Sequence, residues 1–226
     1  MNNKFYNTGV CGADQLSTTD IAISSNFTMN ITFSIIFAAL MAISANSFIY
    51  LPFTPIPVTT QVFTVLVSGL LLGSRWALIS QTLYIIIGLA GLPVFSGFKS
   101  GTTALPGPTG GYIAGFIAAA FVTGYIYESL LKNNSTHTSR LSNRFVLYAA
   151  GIASCVAGVL LIHLFGFIHL SGYFYSINTT STISEILVRT WRLGTWPFLI
   201  IDFLKAVVAV IIITPMKLRN EKNKNK

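Results

Sequence analysis

The sequence predicts an all-α integral membrane protein, a six-transmembrane-helix bundle with structured outer loops. Three observations predict it. The 226-residue chain is 53% hydrophobic and only 9% charged, where a soluble domain carries about 25% charged residues, and its mean hydropathy is +0.68. Six apolar stretches, at 29–50, 58–73, 76–91, 110–131, 144–170 and 196–216, take up nearly the whole chain. Two Pro/Gly-rich polar segments interrupt them, at 51–61 and at 91–112. Irregular backbone leaves peptide groups unpaired, so it cannot lie bare in hydrocarbon and has to line a cavity or a watery surface.

The first stretch, 29–50, is long enough for a spanning helix, which takes about 20 residues. The second and third are short and meet at Gly73-Ser74-Arg75. They read as two thin or tilted helices, or as a helical hairpin partly covered by its neighbours. The fourth opens on Gly110-Gly111-Tyr112, and the fifth and sixth are uninterrupted apolar runs. The chain therefore divides into a polar N-terminal tail (1–28), a membrane domain (29–216) and a basic C-terminal tail (217–226). The N-terminal tail lacks the basic, apolar and small-residue succession of a cleaved signal peptide. Cys11 and Cys155 are too few and too far apart for a disulfide framework or a metal site. His163 and His169 are six residues apart and do not share a helical face.

Charge orients the bundle. With six spans both termini lie on one side, and that side holds Lys4, Arg75, Lys132, Arg140, Arg144, Lys217, Arg219, Lys222, Lys224 and Lys226. The other side holds Lys99, Arg189 and Arg192. Lys/Arg excess marks the cytoplasmic face, so both termini are expected in the cytoplasm and the protein in the cytoplasmic membrane. The net charge of +8 needs no nucleic acid to explain it; the basic tail suits topology and contact with anionic lipid. The loops at 52–57, 92–109 and 170–195 then share the outer side, which suggests capture of an external solute.

The last stretch carries the sharpest chemistry. Asp202 and Lys205, at i and i+3, share one helical face. Ionisable groups are costly in a bilayer, and they usually face the bundle interior at a functional site. Either they neutralise each other, or Asp202 accepts from ligand N–H groups while Lys205 donates to a carbonyl or carboxylate. Gln61 is a ligand contact or a helix–helix hydrogen bond. Tyr84 lines a pocket or is an ordinary buried aromatic. Phe95 and Tyr112 flank the Gly/Pro segment that includes Ser96 and suit an aromatic wall. Gly110 and Gly111 let backbone N–H groups approach a ligand at a helix N-terminus, or they permit close packing. Ala38 and Ala42 form a small-residue stripe, either a docking face for another protein's helix or a seam within the bundle.

The runs 52–61 (PFTPIPVTTQ), 73–97 with Tyr84, Gly88 and Gly91-Leu92-Pro93-Val94-Phe95, 107–112 (GPTGGY) and the Asp202/Lys205 pair occur in an order that resembles the biotin-specific substrate-binding (S) components of energy-coupling factor transporters. The resemblance covers 33–213. It implies a six-helix bundle that binds biotin near the outer face, with Asp202 and Lys205 contacting the ligand. It implies a loop, here 97–101, closing over the site; Lys99 in that loop is the candidate partner for the ligand's carboxylate. It implies that Ala38 and Ala42 contact an energy-coupling transmembrane protein, which works with two ATPase subunits. The chain itself is expected to be no enzyme and to need no cofactor. ATP is used by the partners, because no Gly-rich phosphate loop followed by Lys-Ser/Thr is present. Other readings are a stand-alone, gradient-driven biotin carrier, whose inverted repeats are not seen, an S component for another vitamin, and an intramembrane enzyme using Asp202, which lacks an evident second catalytic group.

Overall fold

The structure is a computed structural model that describes residues 27–134, 140–177 and 180–224. The expected N-terminal tail, with Lys4 and Cys11, lies outside the described residues up to residue 26, as does Lys226. Helix α1 spans Phe27–Asn46; β1 (Phe48–Ile49) and β2 (Val58–Thr59) follow, then α2 (Gln61–Leu89), α3 (Gly101–Ala104), α4 (Gly110–Asn134), α5 (Arg140–Ile177), α6 (Ile183–Thr190), a π-helical turn (Trp191–Thr195) and α7 (Trp196–Lys224). Five helical segments among the described residues are long and apolar enough to cross a membrane.

Segment α2 is not one rod. Gly73 breaks it, with φ 78° and ψ 176°, a region of backbone space that is essentially glycine's alone. In a straight helix rising 1.5 Å per residue, positions 61 and 84 would lie about 35 Å apart. Instead Gln61 Nε2 donates to the Tyr84 hydroxyl at 2.9 Å, and Gln81 Nε2 donates to Ser68 Oγ at 3.4 Å. The segment therefore doubles back at Gly73. The turn is sealed from α4, where the Glu128 carboxylate accepts from Ser74 N at 3.1 Å and from Ser74 Oγ at 2.9 Å. A Cβ on Gly73 would collide with that carboxylate. Gly73→Ala is expected to lower the thermal unfolding midpoint in detergent, since the backbone strain alone is on the order of 1–3 kcal/mol; an unchanged midpoint would contradict this account of the turn.

Around this hairpin, α1 lies against α2 through Ser34 Oγ to Trp76 O at 3.1 Å and Ser44 to Thr64 at 2.6 Å. Helix α4 packs mainly on α2 and α5, and α5 in turn on α7. Small residues set the spacing: Gly124 faces the backbone of Gly73 and Ser74, and Gly115 faces Ile162 and Phe165. The lipid-side surface is apolar, as on α5, where exposed Leu160, Leu164 and Ile168 recur every fourth residue.

One expectation changes. The region 170–195, expected as a loop, is largely helical: α5 continues to Ile177, and α6 runs through the π turn into α7. A capping box at Thr182 and Glu185 starts α6. Helix α7 runs past 216 to Lys224, and Lys217 is buried, its ammonium 4.1 Å from the Tyr127 ring centroid. Ala38 is covered by its own chain and Ala42 packs against the same core. Ala42 stays half-buried, and Ile35, Ile36, Leu40 and Ile43 form the outward face of α1.

Candidate functional site

At the end of the bundle opposite Gly73, the chain closes a cavity. Its first wall is the proline segment. Pro52, Pro55 and Pro57 have no N–H to donate and disfavour helix at the residue before each, so the chain makes an irregular loop. The loop is pinched at its base by the β1–β2 pairs Phe48 with Thr59 and Ile49 with Val58. Thr54 holds its far side: the hydroxyl donates to Leu193 O at 2.6 Å and accepts from Ile56 N at 3.2 Å. Leu193 lies in the π turn, and the neighbouring Gly194 carbonyl accepts from the Tyr112 hydroxyl at 2.7 Å. A π turn breaks the regular helical bonding, and such turns are frequent at functional sites. Here it ties the proline loop and α4 to the start of α7.

The floor is a charged cluster. Asp202 on α7 is 4% exposed. Its Oδ1 accepts from Lys205 Nζ at 2.7 Å, and its Oδ2 lies 3.1 Å from His163 Nε2 on α5. Lys205 Nζ also donates to Thr59 O at 2.7 Å, joining α7 to the proline loop. The Tyr112 ring meets the His163 ring edge-on, with centroids 5.9 Å apart. Apolar walls come from Ile56, Val62, Ile113, Phe116, Ile162 and Phe198, and a mostly apolar lining with a few convergent polar groups is the usual make-up of a small-molecule site.

Of the residues singled out from sequence, Asp202, Lys205, Gln61, Ser96 and Tyr112 line this cavity. Ser96 Oγ is buried without a hydrogen-bond partner among the described residues. Tyr84 and Phe95 stand behind the wall, each 1% exposed. Tyr84 accepts from Gln61 and donates to Val94 O at 3.3 Å, while Phe95 stacks edge-on against it at 5.2 Å in the space above Gly88. Lys99 is exposed on a tight turn closed by its backbone bonds to Phe95, away from the cavity wall. Gly110 and Gly111 pack against protein: a Cβ would meet the Leu105 carbonyl at Gly110, and at Gly111 the His169 side chain and the Phe165 carbonyl. His169 donates to Gly107 O at 2.9 Å and steadies the segment before α4.

His163 is the site residue that sequence reasoning missed. Measured only against His169 on its own helix, it showed no partner; its partner is 39 residues away on α7. Among the described residues, no three His, Cys, Asp or Glu side chains group as metal ligands.

This arrangement defines a class: an all-helical, multi-pass membrane protein with a polar-floored, apolar-walled cavity. The chain belongs to the BioY family, whose family model matches residues 14–222. It is 35% identical over 182 residues to the biotin transporter BioY of Thermotoga maritima, covering 80% of this chain and 92% of that one. It is 34% identical over 177 residues to a probable biotin transporter BioY of Pyrococcus horikoshii, covering 78% and 89%. Its fold matches the crystal structure of an S-component for biotin from an ECF-type ABC transporter with a TM-score of 0.64 at 24% identity, over 84% of this chain and 91% of that one.

Proposed function

We propose that the chain captures biotin in this cavity and acts as the S component of an energy-coupling factor transporter, a transport subunit and not an enzyme. The observation that carries the reading is the hydrogen-bonding capacity left in the Asp202–Lys205–His163 cluster. A carboxylate has about four lone-pair sites, and an ammonium three donors. Within the cluster Asp202 uses two lone-pair sites and Lys205 two donors. Acceptors and one donor remain at the floor of an apolar slot. A cyclic urea, with two N–H groups beside one carbonyl, is complementary to that set. Membership of the BioY family and the biotin-transporter relatives support the same solute. Gln61, Ser96 and Tyr112 complete the contacts.

The reversal at Gly73 supports six membrane passes, with 29–216 as the substrate-binding domain. The Lys/Arg bias supports both termini in the cytoplasm and the cavity near the outer face of the cytoplasmic membrane. Transport energy comes from ATP hydrolysed by two partner ATPases through an energy-coupling transmembrane protein. The test is calorimetric titration of biotin into the purified chain alone in detergent. Saturable one-site binding is the expected result. Absence of binding in a sample shown to be folded overturns the assignment.

A further inference from the structure

The buried cluster has one polar atom left over. His163 walls the cavity and is 4% exposed. Its Nε2 faces Asp202 Oδ2, while its Nδ1 is buried and without a hydrogen-bond partner among the described residues. The charged and titratable groups around the ring are Asp202 and Lys205 of α7 and Tyr112 of α4. The Asp202 carboxylate can only accept, so Nε2 carries the hydrogen between the two groups, and in that tautomer Nδ1 is a bare acceptor. Tyr112 cannot satisfy it, because its hydroxyl is given to Gly194 O. Buried polar atoms in native proteins are nearly always paired, and His163 is among the residues that line the cavity.

We propose that His163 is a ligand-contacting residue: its Nδ1 accepts a hydrogen bond from an N–H of the bound solute, in the tautomer that Asp202 imposes. The inference rests on the biotin reading and deepens it. His163 adds a third element to the Asp202–Lys205 pair and makes the site demand an N–H at one position. A solute without that N–H leaves the acceptor buried and bare, and a site built to hydrogen-bond its substrate discriminates strongly on that ground.

The experiment uses the purified full chain, wild type, H163Q and H163N, titrated with biotin and with two derivatives, each methylated at one ureido nitrogen. Gln places its amide near Nε2 and keeps Asp202 company, but it removes the Nδ1 acceptor. Asn keeps an acceptor near Nδ1. H163Q is expected to bind biotin at least tenfold more weakly than wild type, and H163N less weakly than H163Q. One methylated derivative is expected to show no further loss on going from wild type to H163Q. Equal loss for biotin and both derivatives overturns the proposal, since a merely structural role affects all ligands alike; so does H163Q binding biotin as wild type does. A readout without substitution is the ¹⁵N resonance of His163 Nδ1, expected to move upfield when biotin is added; a resonance that stays put while biotin binds overturns the proposal. Folded wild-type protein that binds no biotin sinks the biotin assignment instead, a separate and recognisable result.

Discussion

Asp202→Asn is expected to weaken biotin binding by at least a hundredfold. The carboxylate meets Lys205 at 2.7 Å and His163 at 3.1 Å, with its own side chain 6% exposed. An amide in its place leaves the ammonium without a counter-charge and turns one oxygen into a donor aimed at another donor. Truncating one member of a buried, hydrogen-bonded charge pair at a binding site costs about 2–5 kcal/mol of binding, and about 2.7 kcal/mol is a factor of one hundred in affinity. Lys205→Met should be comparably harmful, because it strands the carboxylate and releases Thr59 O from α7. The double variant separates the two roles. Asp202→Asn with Lys205→Met removes both charges together, so its unfolding midpoint should exceed that of either single variant while biotin binding stays lost. Calorimetry and thermal unfolding in one detergent decide it. Binding by Asp202→Asn within threefold of wild type would show that the ligand does not use this carboxylate.

Gly111→Ala, one added methyl group, is expected to lower the unfolding midpoint by several degrees. The position is buried where α4 crosses α5, and an ideal Cβ there lies 2.5 Å from the Phe165 carbonyl and collides with the His169 side chain. A backbone carbonyl in the middle of a helix cannot turn aside, so the helices must part. Overpacking of this kind costs about 1–3 kcal/mol, and each kcal/mol moves the midpoint by roughly 2–4 °C in a chain of this size. Gly172→Ala is the matched control: the same residue change on α5 with nothing within 4 Å of the new Cβ. Equal midpoints for the two variants would refute the close seam. The pair also separates the two readings of Gly111, because a ligand-approach glycine would affect binding while leaving stability alone.

Much of the protein was legible from composition and spacing alone. Long apolar runs become membrane helices because hydrocarbon offers backbone groups no other partner. Gly73 marked the reversal, and the three prolines marked a segment that could be neither helix nor sheet interior. Asp202 and Lys205 share a face because the i, i+3 relation is a property of the helix itself. What only the tertiary structure decided is which of these features meet. The rotation of α5 about its axis turns His163 toward Asp202 and His169 toward Gly107. The reversal in α2 puts Tyr84 behind Gln61 and out of the cavity. Packing of α1 on α2 buries Ala38. The glycines that opened α4 serve a helix seam, and the stretch at 170–195 folds as helix because its capping box and apolar side chains find α5 to pack against. Spacing within one element is local geometry and can be read from sequence. Pairing between elements follows from how whole helices are turned and pressed together, and many distant residues set that jointly.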